Sequence, residues 1–124
     1  NTIAYLKKYK FDGLDIDWEY PVCWSGDCSK GPKSDKPNFG KLLTELKAAF
    51  IKESPTLSLS AAIPSGYAGG PADQSYDIPA MAAALDYLAV MTYDMAGVWD
   101  KKTGHHSTYQ GCISGSKYYV DKGM

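Results

Sequence analysis

"FDGLDIDWEYP", residues 11–21, decides the reading of the fold. Asp12, Asp15, Asp17 and Glu19 place four carboxylates within eight residues, and the last three alternate with Ile16 and Trp18. Successive side chains of an extended chain point to opposite faces. Asp15, Asp17 and Glu19 therefore share one face, while Leu14, Ile16 and Trp18 share the other. A strand over Gly13–Glu19 would press its apolar face on helices and turn a row of acids toward a site. Asp12 has the opposite parity and precedes the strand, so it is read as structural, tying down the strand's beginning.

Working outward, Thr2–Tyr9 reads as an amphipathic helix with Ile3, Leu6 and Tyr9 on one face. After the acid row, Pro21 stops the strand and "SGDCSKGPKSDKP" is a polar Gly/Pro loop. Phe39, Leu42, Leu43, Leu46, Ala49 and Phe50 then recur at helical spacing, with Asp35 or Asn38 able to cap the start and Pro55 beyond the end. Leu57–Pro64 is a short strand between prolines. Asp77 offers an N-cap with Pro79 in the first turn of the next helix. Tyr87–Asp94 reads as a third strand, and Ser116–Lys122 as a weak last helix ending at Gly123.

Regular alternation of helix and strand argues for parallel strands with helical crossovers, an α/β architecture. Strand starts near residues 13, 57 and 88 suit an eight-unit barrel of about 250 residues, about 31 per unit, with one enlarged loop. A small doubly wound sheet is the competing arrangement. In a barrel, Asp15, Asp17 and Glu19 climb the interior and Glu19 stands at the open rim, where such folds gather their chemistry.

The 124 residues allow one modest domain, and the net charge of −1 gives no reason to expect nucleic acid or an anionic membrane as a partner. All 13 basic residues are lysine, which further disfavours specific phosphate reading. No apolar run approaches the ~20 residues of a membrane helix. Cys23, Cys28 and Cys112 do not form a metal-binding spacing. Cys23 and Cys28 bracket a short loop, leaving two readings open: a local bridge if the protein is secreted, or free thiols.

Three carboxylates at strand spacing cannot all ionise cheaply in a confined site. Their repulsion would leave one protonated near neutral pH, as a general acid requires, and Glu19 has the longest reach. Carboxylates alone would also suit magnesium or calcium, and a purely structural acidic stripe is the third alternative.

The stretch resembles the DxxDxDxE signature of glycoside hydrolase family 18, the chitinases, with the Gly, Trp, Tyr and Pro also in place. "LSLSAAIPSG" and "LDYLAVMTYDMAGVWD" look like that family's fifth and sixth barrel strands, and "CWSGDCSKGP" like an arthropod-type insertion. The resemblance implies that residues 1–124 are one partial catalytic (β/α)8 TIM-barrel domain covering approximately strands four to six. It implies retaining, substrate-assisted hydrolysis of β-1,4-linked N-acetylglucosamine by a secreted, monomeric parent enzyme without cofactor or metal, acting on chitin or chito-oligosaccharides. By this likeness Glu19 is the acid, and Asp17, Asp15, Tyr93 and Asp94 assist it. Tyr20, Met91 and Trp99 line the sugar cleft, and Gly13 is structural. The chain departs from the family pattern at Ala96, where relatives often carry histidine. It would also leave sheet edges open and the acids in water, so the isolated chain is expected to be poorly stable and inactive.

Overall fold

A computed structural model of the chain describes residues 1–65 and 71–110. Helix α1 (Thr2–Tyr9) begins with Asn1, whose side chain accepts a hydrogen bond from the Ile3 N–H at 3.0 Å. Ile3 and Leu6 are buried as the helical spacing predicts, whereas Tyr9 lies exposed beside Tyr5, their rings 4.6 Å apart. Strand β1 spans Gly13–Ile16, shorter than the Gly13–Glu19 expected, because hydrogen bonding to its neighbour stops there.

Helix α2 (Asp35–Glu53) buries Phe39, Leu43 and Phe50, spaced so that they return to one face. Leu42, expected on that face, is exposed. The helix starts after Ser34, which makes no side-chain cap, so neither Asp35 nor Asn38 has the capping role. The Asp35 carboxylate instead turns back to accept from the Val22 N–H at 3.2 Å and from Trp24 Nε1 at 2.9 Å. That pins the loop after the acid row, which includes a single helical turn at Trp24–Gly26 and a Cys23–Cys28 disulfide. The bridge settles the choice between paired and free thiols; Cys112 and the expected Ser116–Lys122 helix lie outside the described residues.

Strand β2 (Ser58–Pro64) follows, then a short helix α3 (Pro71–Ser75) that the sequence reading did not anticipate. Helix α4 (Ile78–Ala84) has Asp77 as N-cap, its carboxylate accepting from the Ala80 N–H at 3.2 Å, and Pro79 in the first turn, both as expected. Gly40 lets α2 and α4 close on each other, since a Cβ there would stand 3.0 Å from that of Ala80. Strand β3 (Tyr87–Met91) stops short of the expected Asp94.

Among the described residues the strands form one parallel sheet in the order β1-β2-β3. The register pairs Leu14 with Leu59, Ile16 with Ala61, Ala61 with Leu88 and Ile63 with Val90. Paired residues share a face, so these line the helix side with the core of Ile3, Leu6, Phe39, Leu43 and Phe50. The opposite face carries Asp15, Ser60 and Met91, the last paired with Pro64.

Candidate active site

The chemistry-bearing side chains gather where the strands end. Gly13 opens β1 against β2, and any Cβ there would collide with the Ser58 backbone. Asp12 does tie this corner, but through its backbone: its carbonyl accepts from the Ser58 N–H at 2.9 Å and from the Ser58 hydroxyl at 3.3 Å. One step along, Asp15 accepts from the Ser60 hydroxyl at 2.5 Å. Asp15, Asp17 and Glu19 alternate in exposure with the half-buried Leu14, Ile16, Trp18 and Tyr20, so the predicted parity holds past the end of the ladder. Leu14, Ile16, Trp18 and Tyr20 pack against the core. The acids face water, because no described layer covers their side of the sheet.

A cleft of about 310 Å³ lies beyond the strand ends, lined by Glu19 and Tyr20 after β1 and by Met91, Tyr93 and Asp94 from β3 and its loop. Five residues named from the sequence thus meet in one place. Tyr20 is the electrostatic hub of the group. Burial pushes its phenol up to about 12, helped by the adjacent Glu19 carboxylate and by the negative charges of Asp17 and Asp94. The peptide joining Glu19 to Tyr20 is cis. Asp94 takes the left-handed conformation with φ 57°, turning the chain sharply after Tyr93. This conformation is uncommon for a residue with a side chain, and aspartate is among the more tolerant. The loop then returns, with the Met95 N–H donating to the His106 carbonyl at 2.8 Å and the Ser107 hydroxyl to that of Thr92 at 2.6 Å.

Asp15 and Asp17 belong to the row but do not line this cleft, and Trp99 does not reach it. The Trp99 ring folds back over Gly97, in a turn closed by the Asp100 N–H on the Gly97 carbonyl at 3.0 Å. Sequence reasoning missed Ser60 and four residues lining the cleft: Gly26, Pro64, Ser65 and Met95. Ser60 could have been found from the alternation in "LSLS", which puts its hydroxyl on the acid face. Gly26, which lines the cleft from the disulfide loop, and the buried Met95 carried no local signal. Among the described residues, no three His, Cys, Asp or Glu side chains gather closely enough to hold a metal ion.

A parallel α/β sheet with acids and phenols at the carboxyl ends of its strands is one section of a (β/α)8 barrel. The chain belongs to the glycosyl hydrolases family 18, whose family model matches residues 1–124. It is 46% identical over 111 residues to probable chitinase 10 of Drosophila melanogaster, covering 90% of this chain and 5% of that protein. Catalytic domain 2 of the Ostrinia furnacalis group II chitinase superposes with a TM-score of 0.87 at 41% identity, over 98% of this chain and 31% of that one. A mutant of that domain, solved with penta-N-acetylchitooctaose, gives a TM-score of 0.86 at 40% identity over the same shares. The chain thus spans about a third of the solved domain and a small part of the curated relative.

Proposed function

We propose that this chain is part of a chitinase that hydrolyses β-1,4 linkages between N-acetylglucosamine residues with retention of anomeric configuration. The observation that carries this reading is the convergence of Glu19, Tyr20, Met91, Tyr93 and Asp94 on one cleft at the strand ends. Glu19 donates a proton to the glycosidic oxygen as the bond to the leaving sugar breaks. The substrate's own N-acetyl carbonyl oxygen attacks the anomeric carbon, so no protein carboxylate need act as nucleophile. Tyr93 donates a hydrogen bond that holds this carbonyl in place, a proximity effect. Asp94 faces the acetamido group, Asp17 rotates toward its N–H from beside the cleft, and both balance the positive oxazolinium that forms, while Asp15, anchored on Ser60, adds negative charge beneath the row. Glu19, now a carboxylate, takes a proton from water as that water opens the oxazolinium. Tyr20 and Met91 offer the apolar surface on which sugar C–H faces rest.

The oligosaccharide bound by the related Ostrinia domain supports the substrate class. A disulfide persists best in an oxidising compartment, so the Cys23–Cys28 bridge supports a secreted enzyme. No helix among the described residues is long and apolar enough to cross a membrane. The test is Glu19→Gln in the complete protein. Loss of the acid should lower hydrolysis of chito-oligosaccharides by at least ~100-fold, while their binding, followed by calorimetry, stays within a few-fold. Undiminished hydrolysis would show that another group is the acid.

A further inference from the structure

The ladder between β1 and β2 ends at Ile16 and Ala61, so the backbone of residues 17–20, which carries Glu19, has lost its strand partner. Backbone carbonyls left near a core need another donor. Trp18 finds one: the Tyr76 hydroxyl donates to its carbonyl at 2.6 Å. We propose that Tyr76 is a positioning residue for Glu19, holding the acid-bearing segment where the sheet no longer does; this rests on the assignment of Glu19 as the acid.

Three observations support the role. Tyr76 is only 2% exposed and is not among the cleft residues, so it acts from behind the site rather than on the sugar. Its ring meets Phe39 edge-on at 5.9 Å, and Phe39 in turn meets the Trp18 ring edge-on at 5.4 Å. Trp18 is therefore held by both its carbonyl and its indole. Tyr76 itself is fixed at the junction of α3 and α4, immediately before the N-cap Asp77, with its N–H on the Ala72 carbonyl at 3.1 Å. It and Met81, both buried, occupy the two positions of a hydrophobic staple across the start of α4. Burial raises its phenol well above the ordinary tyrosine value, with Tyr20, Asp17 and Glu19 adding to the effect, so it stays a donor across the working range. Glu19 thus hangs one residue beyond an anchored carbonyl, where a small displacement changes its reach to the glycosidic oxygen and its distance from the Tyr20 phenol.

The test is Tyr76→Phe in the complete protein, a change that removes one oxygen and keeps the ring contacts. Steady-state kinetics on chito-oligosaccharides are normalised to folded protein, and the variant's crystal structure is solved. The inference expects kcat to fall about tenfold or more, with KM within twofold, and the Glu19 carboxylate to move away from the Tyr20 phenol. Leu43→Val, a core change that leaves the Tyr76 hydroxyl and the Phe39 ring in place, should lower Tm but leave kcat per folded molecule within twofold. A Tyr76→Phe kcat within twofold of wild type overturns the inference. So does a loss seen only in KM, or one shared by Leu43→Val, or an unmoved Glu19 carboxylate. Should the wild type show no hydrolysis, the functional reading fails instead, and the position of Glu19 in the variant alone decides whether Tyr76 holds it.

Discussion

Gly13→Ala offers a sharp test of how the acid-bearing strand is seated. A Cβ at residue 13 would fall on the Ser58 hydroxyl and carbonyl oxygens and within 3.0 Å of the Ser58 carbonyl carbon. The backbone carbonyl oxygen, at 2.3 Å, is the limiting contact; atoms in ordinary contact sit about 3.5 Å apart, so β1 and β2 must part by roughly 1 Å at their first pair. The obstacle is backbone, which cannot swing away as a flexible side chain would. Parting the strands strains the hydrogen bonds from the Ser58 N–H and hydroxyl to the Asp12 carbonyl. Overpacking costs about 1–3 kcal/mol and a weakened hydrogen bond about 1 kcal/mol, so the expected loss is about 2–4 kcal/mol. Urea titration of the complete protein, followed by tryptophan fluorescence, measures this as a lower midpoint at constant slope. Hydrolysis should fall as well, because Asp15 lies two residues along the displaced strand. A stability change under ~0.5 kcal/mol, within the range of ordinary surface substitutions, would refute the close seating.

Two further predictions concern pH. The Tyr20 phenol holds its proton to about 12 in the folded chain, whereas an unfolded tyrosine ionises near ~10. Its contribution is therefore fully present below pH ~10 and lost as pH rises toward the folded value. Tyr20→Phe should flatten the decline of the urea midpoint between about pH 10 and 12, and identical declines in both proteins would rule this out. Asp86 accepts from Lys47 Nζ at 2.6 and 2.8 Å and from the Leu59 N–H at 2.7 Å. These bonds, Lys47 foremost, hold its carboxyl below the usual range. Its contribution is present above the ordinary aspartate value and is lost as pH falls through the folded one. Asp86→Asn should therefore destabilise at pH 7 and progressively less toward pH 3, and a gap that stays constant over that range would count against the bonded carboxylate.

Much of the fold was legible because it depends on short-range periodicity. The alternation of Asp15, Ile16, Asp17, Trp18 and Glu19 assigned two faces to one strand, and the observed exposures follow that alternation even beyond the hydrogen-bonded ladder. Asp77 and Pro79 marked the start of α4 because a cap and a fixed φ act within one turn. Where side chains could choose between local and distant partners, the local rules misled. Asp35 stands where a helix cap would serve, yet it binds Val22 and Trp24.

The sequence by itself determined which face of the first strand is acidic, which residue types are available for proton transfer, and that parallel strands carry them. Those follow from the two-residue period of an extended chain and the alternation of elements. The family resemblance implied that Glu19 and Tyr93, 74 positions apart by their numbers, serve one site, but only the tertiary structure put both on one cleft together with Gly26 and Met95. Only it showed that Tyr76 grips the carbonyl before Glu19. Such contacts arise from packing between segments whose separation along the chain leaves no periodic trace, so no local pattern could have announced them.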